Sequence, residues 1–514
     1  MRLAPLHLAG LAFALALACN DHAASTQPSM TSFLYPTGLA VRHQPPGCAP
    51  GTAGCRTQLL VVSTNFDLRY DIHTGGTLLA VDVDQALAQA AAPGAPDPLP
   101  LTVLGGVQIG SFGGELVIAD AETCPTWTGT PQALVASRSQ LILYRVDIDD
   151  AGGLTCGEGC AVPLDTTFAD AYGIGLACGT FPPQEGDAPT PQALAFVTYL
   201  RTPDSHGWVS RVDLLAASAA GVRTSPWADL DLQMSPAGHA QYDAGSARLY
   251  VTGRVADAGY TPLRWLELAS PSTPVAAVDF ASLLHDSDLR GMAISSDGKR
   301  GFVAVRYYDA DLAMQYGGSP SFMNYNAGYG GYGYGAGYGG FGGYGGYGGM
   351  GTSYQYSYGY SGATTATTDL AGGLAVIDLT KLTPGAPSLS ILRTVPLDRG
   401  PSEVRVIPRA GMGDLVVVSS TDDSTVAFYD DETGVVARTI SFCTAGPSPS
   451  GCDPGSAALG ANPFGMAVEP LASGLVRLYV GSFDASWVNI LQIDPLHPEA
   501  DPSLWLRLGP ERPW

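Results

Sequence analysis

Pro36-Thr37-Gly38-Leu39-Ala40-Val41, then Leu59-Leu60-Val61-Val62-Ser63-Thr64-Asn65-Phe66-Asp67, then Gly76-Thr77-Leu78-Leu79-Ala80-Val81-Asp82 make a phrase that this chain repeats along most of its length. A small turn opens it, an apolar run ending in small polar residues follows, and an apolar run closed by Asp completes it. Near the other end, Asn462-Pro463-Phe464-Gly465-Met466-Ala467-Val468 opens another copy. It continues through Arg477-Leu478-Tyr479-Val480-Gly481-Ser482-Phe483-Asp484 to Val488-Asn489-Ile490-Leu491-Gln492-Ile493-Asp494. Such self-similarity points to one supersecondary unit per copy, each unit burying its apolar surface against the next.

Five more copies lie between these two. Their runs include 113–118 with 133–137 and 141–147, 193–199 with 208–213, and 248–253 with 263–267. The fifth copy has 291–305 and resumes at 373–378; the sixth has 400–406, 415–420 and 426–430. Each copy supplies about four short strands rich in Val, Leu and aromatic residues, parted by turn residues such as Asp297-Gly298 and Glu432-Thr433-Gly434. The fold class this predicts is all-β, a β-propeller of seven four-stranded blades over residues 33–508, with six or eight blades as the competing counts. A pair of sandwiches would not repeat one phrase seven times, and a β-helix uses shorter repeats. Ser32-Phe33-Leu34-Tyr35 and Leu504-Trp505-Leu506-Arg507-Leu508 are both candidates for the strand that closes the ring.

Tyr250-Val251-Thr252-Gly253 and Tyr479-Val480-Gly481-Ser482 resemble the YVTN repeat of exported, lactonase-like seven-bladed propellers. Gly291-Met292-Ala293-Ile294-Ser295-Ser296-Asp297-Gly298-Lys299 is similar to the turn that family writes as SPDG, with Ser296 in place of Pro. The resemblance covers residues 33–495 and implies a fold. It does not imply one activity, because members range from lactone hydrolases to binding and surface proteins.

Residues 314–368 are nearly all Gly and Tyr and interrupt the fifth copy between Val305 and Gly373. Gly is entropically costly to order and no apolar periodicity offsets it, so the segment reads as a disordered loop leaving the propeller. It is either a neutral spacer or a tyrosine stacking surface for polysaccharide, protein or its own kind.

Arg2, an apolar run from Leu8 to Ala18 and then Cys19 have signal-peptide proportions. Ala16-Leu17-Ala18-Cys19 resembles a bacterial lipobox, with Ala16 where Leu is preferred. The expectation is a signal peptide at 1–18, lipidation at Cys19, a tether over 19–32 and a lipid anchor in the cell envelope, in the outer membrane by preference since Asn20 follows Cys19. The other eight cysteines are an even set in an exported chain, which reads as disulfides. Cys48/Cys55, Cys156/Cys160 and Cys443/Cys452 are near neighbours in loops, which leaves Cys124 with Cys178. The formal net charge of −22 argues against nucleic acid as a partner and leaves envelope protein or polysaccharide.

No cofactor is expected, with one exception. In Asp147-Ile148-Asp149-Asp150-Ala151-Gly152-Gly153-Leu154-Thr155-Cys156-Gly157-Glu158, the carboxylates Asp147, Asp149 and Glu158 and the central Gly152 match part of a calcium loop. Ala151 stands where an oxygen ligand belongs, so a polar hairpin turn is the competing reading. Neither GxSxG nor HExxH occurs, and the histidines are scattered. A funnel site could still gather Asn65, Asp67, Arg69, Arg138, Arg201, Arg254, Arg306, Asp422 and Asp484, which follow inner apolar runs. Ion pairs between blades explain the same positions. The expected function is a non-catalytic binding or scaffolding propeller; the alternative is an exported hydrolase or lactonase working in the central funnel.

Overall fold

The computed structural model describes residues 27–164, 169–182, 187–201, 207–215, 225–229, 236–254, 262–269, 276–279, 288–308, 370–383, 390–442 and 462–509. Among them, seven antiparallel sheets follow one another, each from one contiguous segment: 36–109, 113–163, 169–229, 237–279, 288–397, 401–441 and 463–508. We call these blades 1 to 7. In six of them four strands hydrogen-bond in sequence order. In blade 2 the fourth strand is broken into Leu154–Thr155 and Ala161–Pro163, both paired with Ile142–Ile148. The first strands stand side by side round the centre, and Pro463–Pro470 of blade 7 packs against Pro36–Gln44 of blade 1 to close the ring.

Stacked blades explain why the second runs are continuously apolar instead of alternating. Successive side chains of a strand point to opposite faces, and here both faces are covered. In Arg56–Ser63, Leu59 and Val61 join the core shared with blade 7, whereas Leu60 and Val62 join the core shared with blade 2. In Leu415–Ser420, Leu415 and Val417 face blade 7 while Val416 and Val418 face blade 5. The two YVTN-like stretches lie in second strands, Arg248–Gly253 and Val476–Ser482, with Tyr250 and Tyr479 fully buried. The turn at Asp297-Gly298 is held by the Asp297 carboxylate, which accepts from the Ser295 hydroxyl at 2.6 Å and the Lys299 N–H at 3.0 Å. Gly298 supplies the left-handed residue this turn requires, with φ 71°.

Ring closure uses neither end as a strand lent to the other blade. Leu504–Leu508 is the outer strand of its own blade, paired with Trp487–Ile493. Phe33 is buried in the core between blades 7 and 1 without joining a sheet. A further contact spans this seam. The loop after the short helix Val83–Ala90 reaches the last strand, where Leu99 N–H donates to the Arg507 carbonyl and Gly509 N–H to that of Leu99, at 2.8 and 2.9 Å. The Asp97 carboxylate takes two bonds from the Arg507 guanidinium at 2.9 and 2.6 Å.

Cys48–Cys55, Cys124–Cys178 and Cys156–Cys160 are disulfides; Cys443 and Cys452 lie outside the described residues. The signal segment, Cys19 and the Gly/Tyr stretch 314–368 lie outside them too. The insertion point is described: Val305 pairs with Gly373 and Tyr308 with Leu370, so residues 309–369 join two paired strand ends. No helix among the described residues is long and apolar enough to cross a membrane.

Candidate functional site

The calcium-loop residues serve the edge of blade 2. Asp147 accepts from the Gln132 amide at 2.8 Å, and Asp149 accepts from the N–H groups of Ala151 and Gly153 at 2.8 and 2.7 Å. Glu158 is exposed in the loop that parts the two pieces of the fourth strand, which the Cys156–Cys160 disulfide pinches shut. Among the described residues no group of three or more His, Cys, Asp or Glu side chains could hold a metal ion. The hairpin accounts for this stretch because short polar side chains bond their own backbone in turns.

The residues after the second strands mostly tie blades and loops together. Asn65 is buried, donating to the Tyr70 carbonyl and Ser111 hydroxyl at 2.9 and 3.0 Å. Asp67 takes bonds from the Tyr35 hydroxyl and from Arg69, at 3.2 and 2.7 Å. Arg138 pairs with Asp170 of the next blade at 3.5 Å. Arg254 pairs with Asp288 of the next blade at 2.6 Å. Arg306 reaches into blade 6, donating to the Gly400 carbonyl and Thr421 hydroxyl at 3.1 Å each and lying 3.6 Å from Asp422. Asp484 accepts from the Asn462 amide. Arg201 ends the strand Thr190–Arg201, and its side chain is outside the description. Of the eight side chains described, Arg254 alone also lines the central cavity.

That cavity, of about 630 Å³, lies where the first strands meet. Each first strand carries a register shift near its start, between Pro36/Gly38, Gly113/Leu116, Ala171/Ile174, Ala237/Ala240, Leu289/Met292, Pro401/Val404 and Pro463/Met466. Bulges of this kind re-aim a side chain and bend the strand. Aligned on the shift, the seven blades read Gly38, Glu115, Gly173, His239, Gly291, Glu403, Gly465. The glycines let neighbouring bulges touch: a Cβ on Gly173 would stand 2.4 Å from the Gly238 carbonyl oxygen, and one on Gly465 2.1 Å from that of Thr37. The three larger residues point charge at the centre across these gaps.

Glu115 of blade 2 reaches over blade 3 to His239 of blade 4, its Oε1 at 2.5 Å from Nδ1. Its other oxygen accepts the Ile174 N–H at 3.0 Å. Glu403 of blade 6 pairs with Arg405 and accepts the Met466 N–H of blade 7. Burial alone would lower the His239 pKa, but the charge and hydrogen bond of Glu115 reverse this and raise it. Burial drives Glu403 up to about 7 despite Arg405, and the charge of Glu115 adds to the rise. Beside them, burial and then repulsion from Arg254 bring Arg290 down to about 9, against the pull of Asp288. Asp288, which burial would raise, is held at about 2 by Arg254, Arg290 and Arg306. Two buried polar atoms of this ring have no hydrogen-bond partner among the described residues, His239 Nε2 and Arg290 Nε.

Sequence reading passed over Glu115, Arg290, Glu403 and Arg405 and took His239 for one of the scattered histidines, because the ring gathers them from different blades. The signal was positional: aligning the first strands on their opening turns shows polar residues alternating with glycine at one place.

Comparison with known proteins yields the fold. Hydrazine synthase of Kuenenia stuttgartiensis is similar over 92% of this chain and 99% of its own, with TM-score 0.51 and 10% identity. The outer coat vertex of COPII on membranes matches over 90% and 85%, with TM-score 0.47 and 10% identity. The Cps50 (Swd1) β-propeller domain of Myceliophteria thermophila matches over 91% and 98%, with TM-score 0.41 and 9% identity. No family model and no curated protein matches the chain. At 10% identity the likeness to hydrazine synthase speaks for a shared fold alone and for nothing about activity.

Proposed function

We propose that this chain is an exported, YVTN-like propeller that binds a small ligand non-catalytically in its central channel while presenting its loops at a bacterial cell envelope. One observation carries the binding reading: a cavity of about 630 Å³ is lined by His239 and Arg290, whose buried Nε2 and Nε have no hydrogen-bond partner among the described residues. Its volume lies within the range of small-molecule sites, and unbonded buried polar groups are costly unless a ligand or water meets them. The three disulfides support an oxidising, exported setting. The lipobox-like Ala16-Leu17-Ala18-Cys19 supports an anchor at Cys19, and Cys19→Ala abolishing incorporation of labelled palmitate is the expected outcome. Residues 309–369, with their tyrosines, supply a surface for an envelope protein or glycan; deletion of 317–361 should then weaken cell-surface adhesion.

Native mass spectrometry of the purified mature chain, with and without chelator, tests the binding reading. The expected result is one small organic molecule retained at fixed stoichiometry, released unchanged on denaturation and indifferent to chelator. A bare mass, together with no small molecule binding on titration, overturns ligand binding in the channel.

A hydrolase working in the same cavity is the second reading, favoured by the Glu115–His239 pair. A carboxylate on Nδ1 of a histidine that lines a cavity is part of the arrangement of an oriented general base. Against it, the hydroxyls of Thr37, Thr123 and Ser402 that line the cavity each donate to a backbone carbonyl, at 3.0, 2.7 and 3.0 Å, so none stands ready as a nucleophile. Turnover of an ester or lactone panel that His239→Gln abolishes would move the assignment to the enzyme.

A further inference from the structure

The cavity is cationic at its centre although the chain as a whole is strongly acidic. Glu115, Glu403 and Asp288 are the carboxylates of the ring, set against His239, Arg254, Arg290 and Arg405. Arg306 and Asp422 beside them balance each other at 3.6 Å. With the His239 ring charged and the Glu403 carboxyl, at about 7, only partly ionised, these named groups together carry a net positive charge. Glu115 on Nδ1 favours that charged ring, and a charged ring carries a hydrogen on Nε2.

The unbonded atoms then share one character. His239 Nε2 and Arg290 Nε are both donors, on first strands of adjacent blades, and both side chains line the same cavity. Arg290 spends its remaining reach on Asp288, which Arg254 also claims, so one carboxylate serves two guanidinium groups. His239 is 9% exposed, so bulk water does not readily serve it. A negatively charged acceptor satisfies both donors and offsets that positive charge. Leu116, Ile174, Met292 and Phe464 line the same cavity, which suits a carbon body better than a bare inorganic ion.

We propose that the channel ligand is an organic monocarboxylate, its head group accepting from His239 Nε2 and Arg290 Nε and its apolar body lying against the first-strand side chains. This rests on the channel-binding reading above and narrows it to a ligand class. Charge-assisted hydrogen bonds to a buried carboxylate are among the stronger polar contacts available, and a matched neutral isostere leaves the same donors poorly served.

Isothermal titration of the mature chain with hexanoate tests it, with hexanamide as neutral isostere, hexylamine as cationic isostere and inorganic phosphate as a carbon-free anion. Hexanoate should bind at least tenfold more tightly than any of the other three. Arg290→Lys keeps the charge but removes Nε, and His239→Gln removes the charged ring; each should weaken hexanoate at least tenfold in variants whose circular dichroism spectrum shows them folded at the titration temperature. Should either variant fail to fold, titration of the unmodified chain from pH 6 to 9 is the second measurement: hexanoate affinity should fall as Glu403 and His239 lose their protons, and an affinity that does not fall overturns the carboxylate. Equal binding of hexanamide, preference for phosphate, or affinity indifferent to both folded variants overturns the carboxylate. If native mass spectrometry shows a retained molecule while none of the four probes binds, the carboxylate class is wrong and channel binding stands. If the mass is bare and no probe binds, both fall.

Discussion

Glu469 has no exposed surface, and four donors meet on it: His43 Nε2 at 3.1 Å, the Thr57 hydroxyl at 2.7 Å, the Tyr479 hydroxyl at 2.6 Å and Arg477 at 3.2 Å. His43 and Thr57 come from blade 1, so this carboxylate bolts blade 7 to it. Burial would raise its pKa, but the bonds from His43, Tyr479 and Thr57 and the charge of Arg477 carry it below the ordinary 4.5. The linkage sign follows: its stabilising contribution is full above the unfolded value and disappears as pH falls through the lower folded one. Glu469→Gln should cost about 3 kcal/mol in urea denaturation at neutral pH, because Arg477 is then buried beside a neutral amide. The central ring titrates the other way. Glu403 at about 7, faced by Arg405, Glu115 and His239, binds a proton more readily folded than unfolded. Stability therefore falls as pH rises from about 4.5 to 7. His239, also raised, loses its contribution as pH climbs through its folded value above 6.5. Glu403→Gln should flatten the loss between pH 5 and 7, measured as Tm against pH, while leaving the step due to His239.

At the scale of elements, the strands were legible and the centre was not. The apolar run Leu59-Leu60-Val61-Val62 announces a strand covered on both faces, and that is what stacked blades provide. The pairing of Cys124 with Cys178 was legible by exclusion. The central ring was not, because Glu115, His239, Glu403 and Arg405 meet across three blades, and proximity between blades leaves no mark on local pattern. The calcium-loop reading of Asp147, Asp149 and Glu158 weighed carboxylate spacing, where the chain uses two of those residues to hold a strand edge. Among the described disulfides, Cys124–Cys178 joins two blades and spans 54 positions, whereas Cys48–Cys55 spans 7. Closing the longer loop removes more freedom from the unfolded chain, about 4 kcal/mol against about 2.5 for the shorter on a chain-entropy count. Cys124→Ser/Cys178→Ser should accordingly lower the urea midpoint more than Cys48→Ser/Cys55→Ser, with m rising as the freed unfolded chain expands.

Over the whole molecule, each blade is a contiguous piece of chain, so among the described residues no strand crosses the junction between blades 7 and 1. That junction relies on side-chain packing, on Glu469 and on the contact between Asp97-Leu99 and Arg507-Gly509. Asp97→Ala should leave the melt within about 1 kcal/mol of the original, as is usual for a solvent-facing ion pair. Hydrogen exchange should nonetheless quicken at the Leu99 and Gly509 amides, with the amides of blades 3 and 4 unchanged. Equal quickening round the ring would mean the junction is no weaker than any other. A Cβ on Gly509 would lie 3.2 Å from the Phe33 ring, so the two ends of the propeller already meet. Where the chain begins is thus a matter of ancestry more than of mechanics. A short peptide linking 509 back to 33, with new ends opened between Tyr308 and Leu370, would give a permuted chain in which every strand keeps its partners.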